Sequence, residues 1–296
     1  MPRTRKVKKT NPFEKKLPQD SELKANKNFK DGLFRFIFGK NKEYALSLYN
    51  ALNKTNYTDA SELEFTTLKN AFMISVKEDV AFMFDNKMNL YEHQSTHCPN
   101  MPLRGLFYFA NLYRKRIPNK DLFKPTAVRI PLPQYIVFYN GKRKEKAVDY
   151  LKLSDSFLVP DTKNHFEWTA TVININKNNN KNLKSRCKIL SDYSKMINKI
   201  QEYNCHDNLE NAILKAIEYC IKHNILADFL EQHRWEVCYL GWTDLSEKEY
   251  EEAMQEVIDE ANAERDKAIA ERDEAMFKIQ SLETEIAMLR ASLEEK

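Results

Sequence analysis

The chain has 296 residues, 42% of them apolar and 11% aromatic, which is enough for a buried core in one large domain or two modest ones. Five scattered cysteines, Cys98, Cys187, Cys205, Cys220 and Cys238, form no C-x-x-C pair, which argues against a zinc knuckle or a disulfide framework and predicts a reducing, cytoplasmic setting. The net charge of +4 is unevenly spread: residues 246–296 hold sixteen acidic and seven basic side chains, leaving +13 on residues 1–245, a balance that favours polyanionic partners through counterion release.

Residues 1–25 carry seven basic side chains and two spaced prolines before Leu17 and no helical or strand period, so they read as a disordered basic tail. That stretch is not followed by an apolar segment, and no run in the chain approaches eighteen apolar residues. Neither a signal peptide nor a membrane span is expected. Phe29, Leu33, Phe36 and Ile37, then Ala45, Leu48 and Leu52, recur at helical spacing, with Gly39 predicted to separate two helices. Residues 72–84 are rich in strand formers, residues 85–87 (DNK) supply turn chemistry, and residues 88–94 resume an extended pattern, which predicts a β-hairpin.

Pro99 and Pro102 mark a new start, after which Leu103, Leu106, Phe107, Ala110, Leu112 and Tyr113 predict a helix directly after the hairpin. Residues 131–141 and 168–175 read as further strands, and residues 183–203 and 207–233 as helices. The order predicts an α/β or α+β sheet of at least four strands flanked by helices, filling a domain over residues 26–245. Residues 246–296 differ in kind. A heptad frame places Ile258, Arg265, Arg272, Ile279, Ile286 and Leu293 at a, and Ala261, Ala268, Ala275, Leu282 and Leu289 at d. This predicts a C-terminal coiled coil and self-association through residues 254–293, firmest from Ile279 onward; a single solvated helix is the competing reading.

If the hairpin turns on Asp85 and Asn86, residues whose numbers sum to 171 face each other, and Asp79 lies opposite Glu92. The period of two puts Gln94 beside Glu92, and Lys77 beside Asp79. Two facing carboxylates repel unless a cation or a shared proton relieves them. Their oxygens suit Mg²⁺ or Mn²⁺, which activate water and offset charge on a scissile phosphate. The same residues also describe an ordinary solvated hairpin whose carboxylates pair with Lys77 and Lys87. His93 alternates to the opposite face and His97 lies in the loop beyond, so neither is expected to ligate a metal. On the following helix Arg104 and Tyr108, four residues apart, are candidates to grip phosphate; the other reading makes Tyr108 half-buried packing and Arg104 a surface ion-pair partner. Asp31, at the start of the first helix, is a candidate extra acidic ligand.

Several motifs in order carry a resemblance: FKDGLFRFIFG (29–39), KEDVAF (77–82), LYEHQST (90–96), NMPLR (100–104) with Tyr108 and Tyr113, and FYNG (138–141). Over residues 26–240 the chain resembles the PD-(D/E)XK nuclease family transposases, also described as recombination-promoting nucleases. The resemblance implies a restriction-endonuclease-like mixed sheet and a Mg²⁺-dependent endonuclease acting on DNA in transposition or recombination. It also implies that Asp79 and Glu92 hold the metal, with Gln94 the third catalytic residue. Gln94 stands where that family usually has lysine, although glutamine is frequent there; it orients a water but supplies no charge, and Lys77 is the candidate substitute. Two other readings remain: a catalytically weak DNA-binding protein of the same fold, and a coiled-coil interaction protein whose globular part is a scaffold. No G-x-x-x-x-G-K or G-x-G-x-x-G motif supports a P-loop or Rossmann enzyme.

Overall fold

The computed structural model describes residues 26, 28–66, 80–163, 165–240 and, further on, 267, 272, 276, 278 and 279. The chain divides into two units, Met1–Thr243 and Asp244–Lys296. In the first, helix α1 (Phe29–Lys40) is followed by α2 (Lys42–Asn53). The break falls at Asn41 rather than Gly39, because Asn41 adopts an extended backbone and its side chain accepts the Tyr44 N–H at 2.9 Å, capping α2. Gly39 stays inside α1.

Strands β2 (Val80–Phe84) and β3 (Lys87–Gln94) form the expected hairpin. Asp85 and Asn86 have φ of 51° and 53°, the left-handed pair that a two-residue turn matching strand twist requires. Every described pair, from Val80 opposite Tyr91 to Phe84 opposite Lys87, obeys the sum of 171. Asn86→Val would force a β-branched residue into that conformation, so urea denaturation should show a loss of about 1–2 kcal/mol, while Asn86→Gly should cost almost nothing.

Helix α3 (Met101–Arg116), with Pro102 in its first turn, crosses back over the sheet so that β4 (Leu132–Tyr139) lies parallel to β3. A short edge strand β1 (Glu64–Phe65) and an outer strand β5 (Val148–Lys152), neither evident from sequence pattern, complete the sheet with β6 (Thr169–Asn174). Among the described residues the order is β1-β2-β3-β4-β6-β5, with β3, β4 and β6 mutually parallel and both edges antiparallel. The protein is therefore α/β with a six-strand mixed sheet between helices.

The predicted long helices are interrupted. Residues 183–203 become α4 (Lys181–Arg186) and α5 (Lys188–Tyr203), broken at Cys187, whose thiol caps α5. Residues 207–233 become α6 (Leu209–Lys222) and α7 (Ala227–Gln232), separated where Asn224 and Leu226 take left-handed angles; α8 (Arg234–Leu240) follows. One sheet face, through Phe82, Tyr91 and Phe138, packs on α1, α2 and the α5–α8 helices. The other, through Met88, Leu90, Tyr135 and Val137, packs on α3. Strand β3 is thus buried on both faces, as a central parallel strand should be.

In the second unit Lys267, Arg272, Met276, Lys278 and Ile279 are helical and exposed. The other heptad positions, the N-terminal 25 residues, Lys77 and Asp79 lie outside the described residues. Among the described residues no helix is long and apolar enough to cross a membrane.

Candidate active site on the central hairpin

Even-numbered residues of β3 face α3, so Glu92 and Gln94 share that face while Asn89, Tyr91 and His93 point the other way. Glu92 is only 2% exposed, which rules out the solvated-face reading for this carboxylate. Lys87 does not neutralise it: that side chain donates to Tyr49 Oη at 3.1 Å and to Asn53 Oδ1 at 3.0 Å, on the opposite face.

Among the described residues, three groups meet the buried carboxylate instead. Arg104 places a guanidinium nitrogen 2.6 Å from Oε1, Gln94 donates its amide N–H to the same oxygen at 2.6 Å, and Tyr135 donates its hydroxyl to Oε2 at 2.6 Å. Burial raises the Glu92 pKa above its ordinary 4.5; the Arg104 charge and the bonds from Tyr135 and Gln94 oppose the rise, and the Asp31 carboxylate adds to it. The rise survives an adjacent cation, so desolvation outweighs it.

Close packing of α3 makes this possible. A Cβ on Gly105 would stand 2.5 Å from the Tyr135 ring and 2.9 Å from Trp168 Nε1, so only glycine lets the helix approach and deliver Arg104 to Glu92. Tyr108, four residues on, is 8% exposed within the α3–sheet core. That burial matches the packing role, whereas the Arg104 side chain is 34% exposed. A pocket of about 20 Å³, room for about one water, opens beside Gln94 and is lined also by Cys98, Met101, Val137 and Tyr139. A larger cavity of about 440 Å³, between α2 and Arg186, includes no residue of β3 and does not touch this chemistry.

Asp31 is not beside Glu92 on the α3 face. Its Oδ1 lies 2.5 Å from His93 Nδ1, and the imidazole sits between Phe34 and Tyr193. His93 accordingly ties α1 to β3, and its Nε2 has no hydrogen-bond partner among the described residues. Among the described residues no group of three or more His, Cys, Asp and Glu side chains is arranged to hold a metal ion. They do offer the Glu92 carboxylate and the Gln94 amide oxygen, hard oxygen donors of the type Mg²⁺ and Mn²⁺ accept.

Tyr135 was not foreseen as a site residue. Its role depends on the parallel register that sets Leu90 beside Tyr135, one pleat from Glu92, and sequence periodicity does not reveal which strands pair. Comparison of the chain with protein-family models, curated proteins and solved structures gave no match. Arg104→Ala should raise the Glu92 pKa further and cost about 1–3 kcal/mol in chemical denaturation at neutral pH, less than a fully buried pair because Arg104 is partly exposed.

Proposed function

We propose that the protein is a metal-dependent endodeoxyribonuclease of PD-(D/E)XK type, hydrolysing phosphodiester bonds in DNA during transposition or recombination. The observation that carries the reading is the buried Glu92 carboxylate, ion-paired to Arg104 and bonded to Gln94 on the central strand of a mixed sheet. A charge kept dry at such expense suits a group whose partner is a cation.

In this reading Glu92 and Asp79, which the sequence pattern predicts to face each other, hold one or more Mg²⁺ or Mn²⁺ ions. Such an ion, when bound, acidifies a water and offsets charge on the scissile phosphate. Tyr135 fixes the rotamer of Glu92, so the carboxylate meets its partners without reorganising. Gln94 orients a water by hydrogen bonding, and the water-sized pocket beside it suits that task. Arg104, ion-paired to Glu92, exchanges part of that pairing for a phosphate oxygen when DNA arrives. Lys77 supplies the positive charge absent at Gln94. The excess of +13 on residues 1–245 attracts the polyanion, and self-association through residues 254–293 would present two such sites to one duplex.

Plasmid nicking in Mg²⁺ or Mn²⁺ tests the reading, with Asp79→Ala and Glu92→Ala alongside. Metal-dependent nicking lost in both variants supports it. DNA binding that persists with no metal-dependent nicking in the wild type replaces it with the second reading, a DNA-binding protein without turnover, which the replacement of lysine by Gln94 favours.

A further inference from the structure

The connection from α3 to β4 combines exposed apolar side chains with a dense run of cations. Its first residues form a single 3-10 turn, Asn119–Phe123, that presents Leu122 at 62% exposure and Phe123 at 87%. Together these adjacent side chains form a small exposed apolar tip, which becomes informative through the charges around it. The turn is held in shape: the Asp121 N–H donates to the Pro118 carbonyl at 2.9 Å, and Lys124 N–H to the Asp121 carbonyl at 3.3 Å. The apolar tip is therefore a preformed wedge.

Its surroundings are cationic. Residues 114–129 (RKRIPNKDLFKPTAVR) contain Arg114, Lys115, Arg116, Lys120, Lys124 and Arg129 against the single acid Asp121, a net charge of +5 in sixteen residues. All six cations are exposed. Asp121 is itself paired with Lys124 at 2.5 Å. An apolar wedge ringed by cations matches duplex DNA, where phosphates surround base steps that an inserted side chain can unstack.

Helix α3 links this patch to Glu92. From Arg104, which touches Glu92, to Arg116, which opens the patch, the helix rises about 18 Å, the span of about five base pairs. Measured along the helix axis, the separation is within the reach of one duplex.

Resting on the reading that DNA is the partner, we infer that Leu122 and Phe123 are an intercalating wedge. They enter a base step about five pairs from the site of cleavage, and the flanking cations hold the backbone on either side. The wedge gives the protein a preference for flexible or already unpaired steps, because those are least costly to open.

The test uses the full chain in EDTA with a short duplex carrying 2-aminopurine, followed by anisotropy for binding and by fluorescence for unstacking. Wild type should bind and raise the fluorescence. Phe123→Ala should bind roughly tenfold more weakly and lose the rise, whereas Phe123→Leu, still a wedge, should keep most of both. Lys120→Ala with Lys124→Ala should lower the slope of log affinity against log salt by about 2. Since Phe123 is exposed, unchanged thermal unfolding of each variant separates wedge loss from misfolding.

Three results would overturn the inference. They are a Phe123→Ala protein that binds and unstacks like wild type, a wild type that binds no duplex, and a variant that loses binding only to vesicles of anionic phospholipid. Nicking in Mg²⁺ is scored separately. Unstacking without nicking removes the hydrolase and leaves the wedge, while nicking with an indifferent Phe123→Ala removes the wedge alone.

Discussion

Glu92→Gln is expected to abolish metal-dependent nicking, by about 100-fold or more, while the fold persists. The amide has the same shape, so Tyr135 and Arg104 still find a polar partner and no cavity opens. What is lost is the negative charge. The same variant carries a signature in stability that does not depend on activity. Burial raises the folded-state pKa of Glu92 above the ordinary 4.5, against the opposing pull of Arg104, Tyr135 and Gln94. A carboxyl that holds its proton more tightly when folded stabilises the fold fully below its unfolded pKa, and that contribution is lost as pH rises through the folded pKa. Wild type should therefore gain on Glu92→Gln as the medium is acidified through the window just above pH 4.5, in urea denaturation at a series of pH values. A difference that stays flat across that window would mean that the Glu92 proton is not coupled to folding.

The second large effect is structural and reaches the site from behind. Gly105→Val should cost about 1–3 kcal/mol or more, because the new side chain must occupy space already held by the Tyr135 ring and Trp168. Tyr135 has no easy retreat: it is 4% exposed, bonded to Glu92, and packed edge-on against Phe109 at 6.2 Å. Helix α3 has to lift, and Arg104 lifts with it. At about 2–4 °C per kcal/mol the melting temperature should fall by several degrees, with nicking reduced in parallel. Gly39→Ala is the matched control. Its Cβ would meet Arg35 and Val80 at 3.5 and 3.6 Å, ordinary contacts, inside α1, so it should be neutral or stabilising.

The hairpin was legible because its signals are local. Asp85-Asn86 between two β-rich runs specifies both the turn and its register, and the register assigns Glu92, Gln94 and Lys87 to their faces. The start of α3 was equally plain from Pro102 and the spacing of its apolar residues. What sequence left dark were relations between distant segments. Tyr135 reaches Glu92 only because β4 runs parallel beside β3, and Arg104 does so only because Gly105 lets the helix close on the sheet. Asp31 looked like a further acidic ligand, yet its buried imidazole partner on the other face of β3 gives it a tying role. Strand β5, with alternating half-buried and exposed residues at an edge, has too little hydrophobic contrast to stand out.

Binding of Mn²⁺ to the full chain, followed by electron paramagnetic resonance in wild type and Glu92→Gln, tests the central claim that Glu92 is a metal-holding carboxylate. Wild type should sequester the ion, and Glu92→Gln should bind it about tenfold more weakly or worse. Equal uptake by the two proteins, or none by the wild type, would contradict the account.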